Sequence, residues 1–428
     1  MILFFVRSLM ITPNATISAP DMAASALQWT EDKQARTALW RSERGAAPPK
    51  RVVLADDTLS ADSAYRMACE GTGLLWRGDF QNARLLLQAL ARRIDKPPKA
   101  SKTAKMGRKK ALAQAETGAP SGETFHLYRQ AKAQRARVLG MVLIEFAGDY
   151  GIALRRAPEA KQACIEAWGP AGDSSGPSVA SLRELMGIIS AHEWRKRGVE
   201  IPALTSPGAA VAKAAPNNRI YPHYGVFSPV RGEYVDLVAK APLPTKRPAK
   251  FVAFDIGTGT GVLAAVLALR EVDQVVATDQ DERALACAKE NIYKLRLPNP
   301  VKVMQADLFP EGLASVIVCN PPWLPARPGS PLEGAVYDEG SRMLLGFIKG
   351  LAAHLALGGE GWLILSDLAE HLGLRTRAEL LTAIAAGGLK VIGRMDVKPE
   401  HPKALDASNP LAEARGREVT SLWRLSAV

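Results

Sequence analysis

The stretch FVAFDIGTGTG, residues 251–261, decides the fold. An apolar run broken only by Asp255 ends in glycines at 257, 259 and 261, and VLAAVLALREV follows with helical spacing. A strand that turns through glycines into a helix opens an α/β unit. Glycines there permit a tight turn and let a ligand approach the backbone. The pattern is G-x-G-x-G, and position 262, where a dinucleotide fingerprint needs its third glycine, is Val262. No Gly-Lys-Ser/Thr follows, so a phosphate loop is absent as well.

The same grammar continues downstream. QVVATD (274–279) and ERALACAKENIYKL (282–295) form a second strand and helix, and VKVMQAD (301–307), SVIVCNPP (315–322) and GWLILS (361–366) continue the series. Strands alternating with helices imply parallel pairing with both faces covered. LKVIGRMDV (389–397) and REVTSLWRL (417–425) have no clear helix between them and are expected to pair antiparallel at the sheet edge. Residues 219–428 are therefore expected to form a doubly wound, mostly parallel seven-stranded α/β domain.

Upstream, PALTSPGAAVAKAAPNN (202–218) has the composition of a linker. Residues 23–201 look helical, with amphipathic stretches over 60–93, 125–146 and 179–197, and are expected to form an α-helical accessory domain. A basic insertion interrupts it at about 92–122. Residues 92–110 hold nine Lys/Arg and one acid, with too few large apolar side chains to offset the entropy of ordering, so the insertion is expected to be disordered. Residues 1–22 are set aside as a tail, because MILFFVRSLM has neither the charge order nor the cleavage site of a signal peptide. Translation starting at Met10 or Met22 would account for them.

Composition bounds the rest. The 428 residues are 47% hydrophobic and 23% charged, ordinary for a globular protein, and no apolar run is long enough for a membrane-spanning helix. The net charge of +12 hints at a polyanionic partner. Cys69, Cys164, Cys287 and Cys319 form no C-x-x-C pair, which fits free thiols in a reducing cytoplasm and argues against a zinc ribbon. His192-Glu193 lacks the second histidine of a zinc-protease motif, and no metal is expected.

Ligands of open α/β sheets bind beyond the carboxyl ends of the strands. The first strand offers Asp255, Gly257, Gly259 and Gly261. Asp255 would suit a positively charged amino-acid group better than a pyrophosphate. Asp279, 22 residues after Gly257, can accept hydrogen bonds from both ribose hydroxyls of an adenosine. Asp307 with Leu308 could border the adenine ring. Three acids at three successive strand ends point to an adenosine-containing cofactor without phosphates. The fourth strand ends in Asn320-Pro321-Pro322-Trp323, a stiff turn whose prolines donate no amide hydrogen.

Together, Asp255–Gly261, Asp279, Ala306-Asp307-Leu308 and Asn320–Trp323 resemble the class I S-adenosylmethionine-dependent methyltransferases. More narrowly, they resemble the N-methyltransferase branch with an N/D-P-P-aromatic signature. Val226–Arg231 is similar to the approach segment of protein-glutamine and ribosomal-RNA guanine-N2 methyltransferases, which makes Phe227 and Arg231 candidate lid residues. The resemblance implies S-adenosylmethionine as cofactor and a planar amide or exocyclic amine as acceptor. The Asn320 side-chain oxygen and the Pro321 carbonyl would accept hydrogen bonds from the target NH2, with Pro322 stiffening the turn and Trp323 stacking on the target. Trp stands where Tyr or Phe is usual, which changes the pocket width.

The basic insertion, with Arg129, Lys132, Arg135 and Arg137 after it, favours RNA, with guanine N2 as the acceptor, or a ribosome-associated macromolecule as partner, with a glutamine of a translation-associated protein as the other acceptor. Adenine N6 is a third acceptor of the same chemistry. A nucleic-acid-binding protein on a non-catalytic methyltransferase scaffold is the alternative from another class. The intact Asn320–Trp323 motif opposes it, and Val262 with Asp255 opposes a nicotinamide-dependent oxidoreductase.

Overall fold

The computed structural model describes residues 26–96, 122–172, 176–205, 218–230, 232–246, 248–330, 332–399 and 409–428. Its amino-terminal part contains β1 (Ala26–Glu31), β2 (Gln34–Trp40), β3 (Arg51–Ala55), α1 (Ala61–Cys69), β4 (Thr72–Trp76) and α2 (Phe80–Asp95). There follow α3 (Gly122–Leu139), β5 (Val142–Phe146), α4 (Lys161–Trp168), β6 (Ser178–Ser181) and α5 (Leu182–Arg197). The six strands form one mixed sheet in the order β1-β2-β6-β5-β4-β3.

This corrects the expected α-helical accessory domain: the region is α/β. The helical stretches expected over 60–93 and 125–146 each contain a strand, β4 and β5. Every residue of β4 is buried, as are four of the five in β5. A strand covered on both faces is a continuous apolar run without the alternation that would distinguish it from a helix. The expected basic insertion is also shorter at its start. Arg92 and Arg93 lie in the last turn of α2, where cations complement the helix dipole. Its remainder, 97–121, falls outside the described residues, as do the whole tail 1–22, the next three residues 23–25 and 206–217 of the linker. The described ends of that linker region join through β7 (Val199–Glu200) and β8 (Arg219–Ile220), an antiparallel pair.

The second half contains α6 (Glu233–Lys240), β9 (Val252–Ile256), α7 (Val262–Ala268), β10 (Gln274–Asp279), α8 (Glu282–Leu295), β11 (Val301–Gln305) and β12 (Ala314–Cys319). It continues with α9 (Arg342–His354), β13 (Leu355–Ser366), α10 (Leu368–His371), α11 (Arg377–Ala386), β14 (Leu389–Val397), α12 (Ala412–Arg417) and β15 (Thr420–Ala427). The seven strands run in the order β11-β10-β9-β12-β13-β15-β14. The first five pair in parallel, while β15 is antiparallel to both β13 and β14, as expected for the edge. Side chains of β13 alternate between two cores, with Trp362 and Ile364 in one and Leu363 and Leu365 in the other. Each face is thus covered by helices, as in a doubly wound Rossmann-like sheet.

The two halves meet through side chains. Arg283 on α8 pairs with Glu43 at 3.0 Å, and Arg195 on α5 pairs with Glu290 at 2.7 Å. Phe125 on α3 enters an apolar cluster with Leu324, Leu368 and Leu411 of the second half. Among the described residues, no helix is long and apolar enough to cross a membrane.

Candidate active site

Register brings the candidate residues together. Ile256 of β9 lies opposite Thr278 of β10 on one side and Cys319 of β12 on the other. The next residue of each strand or loop is Gly257, Asp279 and Asn320, so all three leave the sheet at one level. The strand order reverses here: from β9 the chain goes outward to β10 and β11, then returns to β12 on the opposite side. Such a switch point leaves a crevice beyond the strand ends.

A cavity of about 580 Å³ fills that crevice, within the usual range for small-molecule sites. Gly257, Gly259, Asp279, Leu308 and all four residues Asn320, Pro321, Pro322 and Trp323 line it. The glycine turn is fitted closely. Gly257 has φ +70°, and a side chain there would run into the Met343 methyl group of α9. Gly261, with φ +82°, does not line the cavity; a Cβ on it would press on the backbone of Ala288, so this glycine serves the packing of α7 on α8.

The two acids of the first two strands occupy different environments. Asp255 is 1% exposed and lies outside the cavity lining. Its Oδ2 accepts from the Thr258 hydroxyl at 2.6 Å and the Ala264 amide at 2.9 Å, so it braces the glycine turn from beneath. Burial pushes its carboxyl up to about 7, against the lowering effect of these two donors. Asp279 faces the cavity while accepting from the Gly259 amide at 3.0 Å and the Asp281 amide at 3.0 Å. Burial raises its pKa too, with the amides opposing. A carboxylate offers about four lone-pair sites, so two amides leave capacity for a ligand's hydroxyls. Asp307 points elsewhere. It is largely exposed, accepts from Gln280 Nε2 at 2.7 Å and sits 3.6 Å from Arg342, outside the lining.

At the opposite end, the Trp323 indole N–H donates to Asn320 Oδ1 at 3.0 Å. An amide oxygen has two lone pairs, so Asn320 keeps one for a further donor. Pro321 and Pro322 have no N–H with which to compete for nearby carbonyls. Phe227 lines the cavity, whereas Arg231 lies outside the described residues. Tyr337 lines it too, and its neighbour Asp338 caps α9 by accepting from the Met343 amide at 2.8 Å.

Several lining residues were not anticipated from the sequence: Phe125, Met343, Leu368, Leu411, Arg415 and Glu418. They come from helices and the loop before β15, at sequence distances that no local motif bridges. Phe125 carries the amino-terminal half into the wall, 6.3 Å between centroids from Tyr337. Arg129, one helical turn on, lies 3.8 Å above the Tyr337 ring.

Residues 217–372 match the methyltransferase small domain family. The matched stretch spans β9 to β13, and therefore contains the glycine turn, Asp279 and Asn320–Trp323. A release factor glutamine methyltransferase of Caulobacter vibrioides is 31% identical over 172 residues, which are 38% of this chain and 59% of that protein. A tRNA1(Val) (adenine(37)-N6)-methyltransferase of Pedobacter heparinus is 31% identical over 134 residues, 28% of this chain and 57% of the relative. The chain thus spans less than two thirds of the length of each. Among solved structures, a methyltransferase from Pyrococcus furiosus aligns with 51% of this chain and 94% of its own, at 21% identity and a TM-score of 0.33.

Proposed function

We propose that this protein is an S-adenosylmethionine-dependent N-methyltransferase acting on a planar NH2 group, with RNA as the acceptor. The observation that carries the proposal is the register of β9, β10 and β12, which sets Gly257, Asp279 and Asn320 around one cavity. The residues fit the cofactor. A glycine turn without side chains gives close backbone approach, and a half-buried carboxylate at the second strand end offers acceptors to a ribose. Leu308, with Ala306, supplies apolar lining beside Asp279. Asp255 acts on the cofactor through the turn that it braces.

Bound S-adenosylmethionine supplies an electrophilic methyl group on a sulfonium. The protein's own contribution is to hold and orient the acceptor. A planar amide or exocyclic amine delocalises its nitrogen lone pair and is a poor nucleophile. Hydrogen bonds from its NH2 to Asn320 Oδ1 and the Pro321 carbonyl would localise that pair and aim it at the methyl group. The same acceptors stabilise positive charge developing on the nitrogen. Trp323 fixes the plane of the target by stacking.

The printed activities of the two relatives, on a glutamine amide and on adenine N6, share this acceptor chemistry. The surplus of 12 positive charges supports RNA. A protein glutamine is the second reading, favoured by the longer match to the release factor enzyme. The retained Asn320–Trp323 turn, lining the cavity with its hydrogen bond formed, speaks against a non-catalytic scaffold.

Tritiated methyl transfer to cell extract, divided by ribonuclease or protease treatment, tests the assignment. Ribonuclease-sensitive label is expected. Label lost only to protease would move the acceptor to a protein, and absence of label with no calorimetric S-adenosylmethionine binding would overturn the enzyme.

A further inference from the structure

A second cavity, of about 780 Å³, lies between the two halves of the molecule. Its long wall is one face of α5, where Arg183, Gly187, Ser190, Ala191 and Trp194 recur at intervals of three or four. The three central residues are small, so the wall is an open trough with a cation at one end and an indole at the other. Eleven residues of helix separate those ends, about 16 Å at 1.5 Å per residue. The facing wall is α3, which contributes Ala133, Ala136 and Arg137.

The charges in this cleft are unequally satisfied. Glu43 is paired with Arg283, and Glu184 accepts from the Glu43 amide at 3.1 Å, with burial pushing its carboxyl up to about 7. Arg44 is held by Glu333 at 3.6 Å, and Arg137 by Gln134 and the Cys69 carbonyl. Arg183 makes no hydrogen bond or ion pair to any described residue. Its side chain is solvent-exposed at the cleft mouth; partial desolvation and the nearby cations Arg44 and Arg135 disfavour its charge, with the Glu333 and Glu184 carboxylates opposing them. The Ser228 hydroxyl in the same lining is buried and makes no hydrogen bond. Trp194 is 43% exposed, an unusual degree for an indole, and has no partner ring among the described residues. An anion at Arg183 and a flat aromatic group on Trp194 would satisfy both.

We infer that this interdomain cleft binds a short single-stranded segment of RNA, with phosphate at Arg183 and a base stacked on Trp194. A groove that offers both an available cation and an aromatic platform is the arrangement that holds single strands. An acidic polypeptide would satisfy Arg183 but would need an aromatic side chain at the right distance for Trp194, whereas every nucleotide of RNA brings both a phosphate and a flat base. The cleft is also placed to serve the catalytic cavity, since Gly225 and Val226 line both. A strand held in the cleft therefore passes next to the site where one of its bases would be methylated. The inference rests on the RNA reading above and adds the surface that holds the acceptor.

The test is fluorescence anisotropy of the full chain with a labelled single-stranded oligoribonucleotide roughly ten nucleotides long, within the span such grooves cover. Arg183→Ala is expected to weaken binding several-fold and to reduce the salt slope by about 0.7, the value for one phosphate contact on a single strand. Trp194→Ala should weaken it about tenfold, and Trp194→Phe should keep most of the affinity because the stacking face remains. Calorimetric S-adenosylmethionine affinity and the melting temperature should stay unchanged in all three. Unchanged affinity and salt slope in Arg183→Ala and Trp194→Ala would overturn the inference. So would tight binding of polyglutamate that these substitutions abolish, which would make the cleft a protein site. Failure of S-adenosylmethionine binding in the unaltered chain is a separate result and strikes the enzymatic reading instead.

Discussion

The indole of Trp323 donates its only hydrogen to Oδ1 of Asn320, 3.0 Å away and three residues back in the same turn. Phe or Tyr at this position could not make that bond from the ring edge. Tryptophan therefore combines a flat ring surface with a clamp on the orientation of the Asn320 amide, whose remaining lone pair is the one the proposed reaction assigns to the acceptor.

Trp323→Phe should separate these two roles. The stacking face survives, while an uncharged hydrogen bond worth about 1 kcal/mol is lost, so kcat should fall by up to about tenfold. Asn320→Ala removes the acceptor itself and should cost about a hundredfold or more. Steady-state methyl transfer reads both, and calorimetry should show cofactor affinity nearly intact. Equal kcat for Trp323→Phe and the parent would show that the clamp is idle.

Gly257→Ala should abolish most cofactor binding. The residue has φ +70°, and the added methyl would meet the end of Met343. A non-glycine residue in such a conformation costs roughly 1–3 kcal/mol before any clash. Calorimetry should show affinity lowered by about tenfold or more, and Met343→Ala in the same chain should restore part of it by opening space.

Cofactor affinity should weaken on acidification. Burial lifts the Asp279 pKa above its ordinary value, so protonation begins at higher pH than for an exposed aspartate. The protonated group is a poorer acceptor for ribose hydroxyls. Calorimetric titrations across pH 4 to about 8 should show the loss in the parent. Asp279→Asn should bind weakly and with little pH dependence; a persistent pH profile in that variant would assign the titration to another group.

Stability should carry the signature of Asp255. Its carboxyl is pushed up to about 7 in the folded state, against about 3.9 in an unfolded chain. Between those values the folded protein holds a proton that the unfolded chain releases. The stabilisation is therefore complete below about pH 4 and lost as the pH rises through about 7. Asp255→Asn keeps an oxygen for the Thr258 and Ala264 donors and removes the titration. Thermal melts between pH 5 and about 8 should show a shallower decline for the variant, and identical slopes would refute this assignment.

Phe125 tests the contribution of the amino-terminal half. It is 1% exposed, so Phe125→Ala should cost about 3–5 kcal/mol of stability. Phe125→Leu should retain the fold while widening the acceptor side of the cavity. Acceptor KM should then rise with cofactor affinity unchanged; the reverse pattern would place Phe125 beside the cofactor.

The sequence disclosed the second half well because its signals are local. Glycine turns, acids at strand ends and N-P-P-Trp each sit within a few residues of a strand, and parallel register brings those strand ends to one level. Asp255 and Gly261 could be found in this way, yet their places beneath the turn and against α8 follow from tertiary packing. Asp307 was flagged by position alone and turns outward to Gln280. The amino-terminal half was less legible: TGLLW and VLIEF are buried on both faces except at Glu145, and their largely apolar runs blend into the flanking helices. Phe125, Leu411 and Arg415 were silent for another reason. They reach the cavity from distant segments, and nothing in their immediate neighbours marks the destination.

The position of Phe125 also limits how the chain could be rearranged. Because α3 presents Phe125 to the catalytic cavity and Arg137 to the cleft, a single helix keeps both cavities in phase. One residue inserted between them would rotate one end by about 100° relative to the other, misaligning one wall while leaving every strand-end motif untouched. A shuffled or shortened descendant could therefore keep every recognisable motif of its catalytic half and still lose its choice of acceptor.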